Sequence, residues 1–272
     1  MRDHSLDEGS SSSSGAGGGS SEAHEHPSCL RIGTLNCCSL TTAPKDAARV
    51  VSIARAIADA GLDLIHLSEL AAEDVSQALC ARVNAALGKV GEMPFRVYFH
   101  SSASRGAGPS LALLYRESAL AGGGGMPSRL DSDDSGHHVN LRHPETREIF
   151  DLRLRRGYLF RCQLNPARFG PRPALTLCGL HLQSNRGSAF SHYKRMAQAR
   201  IVRAALQPVV LAVPEEDVVV LGDLNSSETD EAIAPLRDDL NVMAHFTSAV
   251  QTAQRTFIVQ TLRCLDVRCL VG

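Results

Sequence analysis

The segment Asp217-Val-Val-Val-Leu-Gly-Asp-Leu-Asn225 constrains the fold more than any other part of this chain. Its run of β-branched residues and leucine predicts a strand that is buried on both faces. Gly222 lets another group approach the backbone where the strand ends. Asp223 and Asn225 stand two positions apart, so an extended chain directs both side chains to the same side. The segment therefore predicts a central strand that delivers a carboxylate and an amide together. The structural alternative is a turn, which Asp and Asn also favour.

The 272-residue chain has the composition of an ordinary globular protein, with 43% hydrophobic and 21% charged residues. This length suits one large domain or two small ones. The formal net charge is −1, so no overall field attracts nucleic acid or a membrane, and a polyanion must meet a local basic patch. The eight arginines from Arg142 to Arg172 are the one candidate for such a patch, and a solvated strand edge explains them equally well.

The sequence contains no apolar run long enough to span a membrane, and its N-terminus lacks the apolar core of a secretory signal. We therefore expect an intracellular protein. Among eight cysteines, Cys162 and Cys178 stand in apolar, strand-like contexts, which favours buried thiols in a reducing compartment. Neither Cys37-Cys38 nor the C-terminal cysteines have the paired spacing of a zinc site, so we expect no structural zinc.

Two parts of the chain differ from the domain expected at 29–272. Residues 1–28 are low in complexity and bury too little apolar surface to offset the entropy of ordering, so we expect a disordered tail. Residues 119–139 contain four consecutive glycines, which predicts a flexible surface insertion. The rest mixes hairpin patterns with strand–helix–strand units. This order predicts sheets that pack together and are covered by helices.

Polar side chains stand at the ends of four predicted strands: Asn36, Glu69, His181, and Asp223 with Asn225. Polar groups at strand ends are how an α/β scaffold places a functional site on rigid supports. Each residue also has a structural explanation. Asn36 is a common turn former, Glu69 suits the N-terminus of the following helix, and a lone histidine is often buried in a core. The common setting of all five residues favours the functional interpretation.

Four segments resemble the motifs of the endonuclease/exonuclease/phosphatase superfamily, which has the deoxyribonuclease-I-like fold. They are Thr34-Leu-Asn36, Leu64-Ile-His-Leu-Ser-Glu69, Gly179-Leu-His-Leu-Gln-Ser184 and Val219-Val-Leu-Gly-Asp-Leu-Asn225. The order of these motifs is more specific than any one of them. The resemblance implies a four-layer α/β/β/α sandwich of two packed mixed sheets. It also implies divalent-metal-dependent hydrolysis of a phosphoester bond by a nuclease, phosphodiesterase or phosphatase.

The resemblance also implies a role for each residue of the site. Glu69 would bind Mg²⁺ or Mn²⁺ with Asn36 beside it, and the oxygen atoms of these side chains suit a hard cation better than zinc. Asp223 would orient or deprotonate the attacking water. Asn225 and His181 would form hydrogen bonds to the phosphate.

The resemblance extends to the substrate. Arg156 would match a substrate-binding arginine of the nuclease branch. The implied substrate is a phosphoester, with nucleic acid among the candidates.

The resemblance breaks near the C-terminus, where this superfamily carries an Asp-His pair on a late strand. After Asn225 the chain has one histidine, His245, which Ala244 precedes. The segment 264–272 resembles the strand before that pair, and Asp266 matches the carboxylate that orients the histidine. We therefore expect a sandwich that lacks its C-terminal strand and has impaired activity. The alternative is a non-catalytic remnant that at most binds a phosphorylated partner. The substrate and the oligomeric state stay open.

Overall fold

The computed structural model of the chain describes most of the expected domain. The described residues are 30–88, 95–100, 110–123, 128–130, 138–143, 145–154, 156–171, 174–184, 190–212, 216–226, 230–237 and 256–260. The predicted tail at 1–28 and the predicted final strand with Asp266 lie outside them. Among the described residues, no helix combines the length and the apolar character needed to cross a membrane.

Strands and helices follow one another in a mixed order along the described part of the chain. The strands are β1 Ile32–Leu40, β2 Leu64–Leu70, β3 Phe95–His100, β4 Ser110–Arg116, β5 Ser128–Arg129, β6 His138–Arg142, β7 Ile149–Arg153, β8 Gly157–Cys162, β9 Leu175–His181, β10 Asp217–Asp223 and β11 Thr256–Gln260. The α-helices are α1 Ala47–Ala60, α2 Glu73–Leu87, α3 Pro166–Phe169, α4 Phe190–Ala212 and α5 Ala234–Arg237. Short 3-10 helices lie at Pro44–Asp46, Glu117–Ala119, Ala121–Gly123 and Glu231–Ile233.

The strands form two larger sheets and one separate pair. The first sheet has the order β1-β2-β4-β3, and the second has the order β11-β10-β9-β8-β5. Both sheets are mixed, because β1 is parallel to β2 and β9 to β10, whereas β4 and β8 run antiparallel to their neighbours. β3 and β4 form the antiparallel hairpin that the sequence predicts. Among the described strands, β6 and β7 pair antiparallel with each other and with no other strand.

Three apolar clusters divide the structure into the four layers that the resemblance implies. Between the sheets, Leu64 and Leu111 of the first sheet pack with Phe160 and Leu177 of the second. Helices α1 and α2 cover the outer face of the first sheet. Helix α4 covers the outer face of the second sheet. The structure therefore confirms the predicted α/β/β/α sandwich.

Strand β10 is buried on both faces, as its sequence predicts. Val219 and Leu221 face the layer between the sheets, whereas Val218 and Val220 face α4. This alternation follows from the two-residue period of a strand. The neighbouring strands bury the thiols of Cys162 and Cys178, which confirms the prediction of buried, unpaired cysteines there.

The predicted surface insertion at 119–139 is partly built into the fold where the structure describes it. Ala119, Leu120 and Leu130 are buried, and β5 pairs antiparallel with β8 at the edge of the second sheet. The glycine-rich part at 124–127 and the residues 131–137 lie outside the described ranges. The other edge of the sheet is β11, which runs parallel to β10.

Candidate active site

The strand ends that carry the predicted site residues meet at one edge of the sandwich. In the second sheet, Asp223 lies opposite His181 because β9 and β10 are parallel and in register. In the first sheet, Asn36 lies opposite Ser68, and Glu69 follows directly. The carboxyl ends of parallel strands lie at the same edge of a sheet, so each sheet brings polar side chains together there.

Hydrogen bonds join the two sheets at this edge. Asn36 Nδ2 donates to Glu69 Oε1 at 3.0 Å and to Asp223 Oδ2 at 2.7 Å. His181 Nε2 lies 3.7 Å from Glu69 Oε1 and 4.0 Å from Asp223 Oδ2. Four residues that the sequence predicts from separate strands therefore lie in one cluster.

Backbone irregularities aim these side chains. Glu69 and Asn225 have φ values of 61° and 51°, in the left-handed region that non-glycine residues rarely adopt. The register of β1 and β2 also shifts after Asn36, where Cys38 and Ser39 have φ values of 50° and 56°. Such bulges turn side chains away from the regular alternation of a strand. Each left-handed residue costs roughly 1–3 kcal/mol, which the surrounding structure must offset.

The backbone at the bulge sets the orientation of the Asn36 amide. The N–H of Cys38 donates to Asn36 Oδ1 at 2.8 Å, so the amide nitrogen turns toward the two carboxylates. Ser39 Oγ also donates to Glu69 Oε2, at 3.4 Å. Sequence reasoning missed Ser39. The only signal for it was the polar run that follows Asn36.

His181 is neutral and donates from Nε2 in this arrangement. Arg156 NH1 lies 2.9 Å from His181 Nδ1, and a guanidinium can only donate, so Nδ1 accepts and Nε2 carries the hydrogen. Burial lowers the pKa of His181 and the charge of Arg156 lowers it further, whereas Asp223 and Glu69 oppose this. A neutral imidazole with an N–H at this edge is suited to donate to a phosphoryl oxygen.

Asn225 and the loop around it are fixed from two sides. The backbone N–H of Asn225 donates to Asp223 Oδ1 at 2.9 Å, and its Nδ2 donates to the Leu182 carbonyl at 3.0 Å. Buried Arg195 on α4 donates from Nε to Ser226 Oγ at 3.1 Å. Sequence reasoning missed the role of Ser226. These bonds hold the end of β10 in place.

The donor set fits a divalent cation. Single ligand atoms of Glu69, His181 and Asp223 lie within 4.8 Å of one another. Carboxylates this close repel each other unless a cation or a donor lies between them. Carboxylate oxygens suit Mg²⁺ or Mn²⁺, whereas the protonated Nε2 of His181 suits hydrogen bonding. Asn36 would bind a cation only after its amide turns over, because Nδ2 and not Oδ1 faces the two carboxylates.

The arginine-rich region does not form one patch among the described residues. Arg156 lies at the site, but Arg161 pairs with Glu216 at 2.8 Å and Arg168 pairs with Asp63 at 2.7 Å. These ion pairs hold the scaffold. Of these three arginines, Arg156 is the one that lies at the site.

Comparisons with known proteins address the fold. No family model and no curated protein matches the sequence. The solved structure of ANGEL2, described as a 2′,3′-cyclic phosphatase in complex with adenosine-2′,3′-vanadate, is similar with a TM-score of 0.51 and 14% identity, over 77% of this chain and 57% of that chain. An endonuclease/exonuclease/phosphatase family protein from Bacteroides thetaiotaomicron has a TM-score of 0.49 and 14% identity, over 79% of this chain and 68% of that chain.

These findings define the class of the protein by its fold. The two mixed sheets, their covering helices and the likeness to ANGEL2 show a deoxyribonuclease-I-like sandwich. The deoxyribonuclease-I-like fold, which the resemblance of four short motifs implies, is thereby confirmed.

Proposed function

We propose that this chain hydrolyses a phosphoester bond with the help of a divalent cation, Mg²⁺ or Mn²⁺. The observation that carries the proposal is the meeting of Asn36, Glu69, His181 and Asp223 in one cluster. Two carboxylates, a neutral imidazole and a nearby arginine are the groups that phosphoester hydrolysis needs. They neutralise negative charge, orient water and donate to phosphoryl oxygens.

Both carboxylates would hold the cation in this proposal, and Asp223 has a second role. A cation bound by Glu69 and Asp223 would supply polarisation of a phosphoryl oxygen and stabilisation of the leaving oxygen. Asp223 also accepts a hydrogen bond from the attacking water and orients it. Asn36 keeps the two carboxylates at their observed spacing, and it becomes a cation ligand through Oδ1 if its amide turns over.

The second sheet supplies the groups that contact the phosphate. His181 donates from Nε2 to a phosphoryl oxygen, and Arg156 fixes the imidazole through Nδ1 while it adds positive charge. Asn225 donates the second hydrogen of its amide, since the first is held by the Leu182 carbonyl. Asp266 lies outside the described residues, and its proposed role is to orient a proton-transfer group.

A cleavage assay on the full chain tests the proposal. Suitable substrates are bis(p-nitrophenyl) phosphate, a single-stranded oligonucleotide and a 2′,3′-cyclic nucleotide, the last because ANGEL2 is described as a 2′,3′-cyclic phosphatase. We expect turnover that requires Mg²⁺ or Mn²⁺ and falls by about 100-fold or more in Asp223→Asn. Exposed Asp59 on α1 provides the matched control, Asp59→Asn. Full activity of Asp223→Asn would refute the proposal, whereas phosphate binding without turnover would favour the non-catalytic alternative.

The organisation of the chain is part of the proposal. We place the catalytic domain at 29–272, after a disordered tail at 1–28. The buried thiols of Cys80, Cys162 and Cys178 support a reducing intracellular compartment.

A further inference from the structure

A buried polar pair links the two sheets beneath the candidate site. His66 Nδ1 on β2 lies 2.9 Å from the hydroxyl of Tyr158 on β8. Both residues are fully buried, and the layer around them is otherwise built from side chains such as Leu64, Phe160 and Leu177. Burying two polar side chains costs free energy that apolar side chains of similar size would not.

The His66 ring has a second, weaker polar contact, with the Leu180 carbonyl, which raises the pKa of His66. Among the described residues, His66 Nε2 makes no regular hydrogen bond. Burying this histidine therefore costs more free energy than burying an apolar side chain of similar size.

Tyr158 is directly adjacent to the groups proposed to bind phosphate. It lies opposite Gly179 in the β8–β9 register, and a Cβ on Gly179 would overlap the tyrosine ring. Arg156 precedes Tyr158 by two positions, and His181 follows Gly179 by two. The His181 N–H donates to the Arg156 carbonyl at 3.4 Å, so the pairing of β8 with β9 continues past Gly157 and the Arg156–His181 contact lies two positions from the Tyr158–Gly179 pair.

His66 has the matching position in the first sheet. It stands two positions before Ser68, which lies opposite Asn36, and three positions before Glu69. The His66–Tyr158 bond thus connects the strand that carries Glu69 with the strand that follows Arg156. Burial lowers the pKa of His66 to about 3, with the nearby His181 adding to this effect, so the ring stays neutral and its contribution is geometric.

We propose that Tyr158 and His66 are positioning residues that set the spacing between Arg156 and His181 in one sheet and Glu69 in the other. The inference rests on the proposed phosphoester hydrolysis for its kinetic consequence. Its geometric consequence, a fixed position for His181, can be measured whether or not the chain is active.

The kinetic test removes one hydroxyl. Tyr158→Phe keeps the ring over Gly179 and should lower kcat by about 10- to 100-fold, the range typical of groups that orient reacting residues, with KM nearly unchanged. His66→Asn keeps a polar group near the Nδ1 position and should retain more activity than His66→Leu. The matched control is Tyr115→Phe, because Tyr115 stacks on Phe160 in the same layer with ring centroids 5.8 Å apart.

A double variant separates positioning from general destabilisation. If Tyr158 acts through Arg156, then Tyr158→Phe should lower kcat less than about 2-fold in an Arg156→Ala background, because coupled residues are not additive. An equal fractional loss in both backgrounds, or an equal loss in Tyr115→Phe, would overturn the proposal.

A second measurement does not depend on turnover. The ring carbon and hydrogen signals of His181, assigned in NMR spectra with His181→Gln, should shift in Tyr158→Phe and His66→Leu and stay in place in Tyr115→Phe. Unmoved His181 signals in Tyr158→Phe would refute positioning even if activity fell. Shifted signals in a chain that cleaves no substrate would support positioning and reject the proposed hydrolysis.

Discussion

Glu69→Gln removes one carboxylate of the site and preserves its size. Ligand atoms of Glu69 and Asp223 lie within 4.8 Å of each other. At an effective dielectric constant of about 20, two unit charges at that separation repel by about 3.5 kcal/mol. Asn36 Nδ2 donates to both carboxylates and offsets part of this repulsion. Without added metal, we therefore expect the variant to be at least as stable as the unmodified chain.

Added Mg²⁺ should reverse this order. At 100 times its dissociation constant, a ligand that binds only the folded chain adds about 2.7 kcal/mol of stability. For a chain of this size, 1 kcal/mol changes Tm by roughly 2–4 °C. We expect a rise of roughly 5–11 °C in the unmodified chain and almost none in Glu69→Gln.

Thermal unfolding with and without Mg²⁺, followed by circular dichroism, measures both effects. Asp59→Asn removes an exposed carboxylate and should respond to Mg²⁺ like the unmodified chain. An equal Mg²⁺ response in Glu69→Gln would exclude Glu69 as a cation ligand. A loss of more than about 2 kcal/mol in metal-free Glu69→Gln would contradict the repulsion argument.

Three further changes test the scaffold. The folded-state pKa of His66 is about 3, below its usual 6.5, so its contribution to stability is present above pH 6.5 and is lost as the pH falls. Between pH 6.5 and 4.5, the free energy of unfolding measured in urea should fall by about 2–3 kcal/mol less in His66→Asn than in the unmodified chain. An equal fall in both would contradict the burial argument. Asp63 is fully buried and pairs with Arg116 and Arg168, so Asp63→Asn should lower the free energy of unfolding by about 3–5 kcal/mol in the same assay. A loss as small as that of the exposed Asp59→Asn would refute this. Gly222 has φ 140°, and a Cβ there would overlap the Leu180 carbonyl, so Gly222→Ala should lower Tm strongly. The control Gly122→Ala should lower Tm far less, because φ is 68° there and the space is open. Similar losses of Tm in the two variants would contradict the close approach at Gly222.

The positions of the site residues could be predicted because strand ends carry a local signal. The buried run before Asp223 predicts a central strand that ends in a polar residue. In the structure, Asp223 is the last residue of β10. His181 follows the same rule at the end of β9, whereas Asn36 lies inside β1, at the point where its register with β2 shifts. Burial and alternation are properties of a few adjacent residues, so the sequence displays them.

The remaining features depend on contacts between distant segments. Nothing in the sequence around Ser68 shows that Glu69 adopts a left-handed backbone, because that conformation is imposed by the bulge against β1. The ion pairs of the arginine-rich region were not visible in the sequence for a similar reason. Arg161 and Arg168 pair with Glu216 and Asp63, partners that become visible only when the strands are assembled.

The division of the candidate site between two sheets has a consequence for when the site forms during folding. Asn36 and Asp223 are 187 positions apart, yet they share the shortest hydrogen bond of the cluster. Closing so long a loop is costly in chain entropy, so such contacts form late in folding. Each sheet can assemble around its own helices before the halves dock. Formation of the Asn36–Asp223 contact during refolding should therefore lag behind recovery of secondary structure, and recovery of Mg²⁺-dependent stabilisation or of the proposed hydrolysis would measure the docking step.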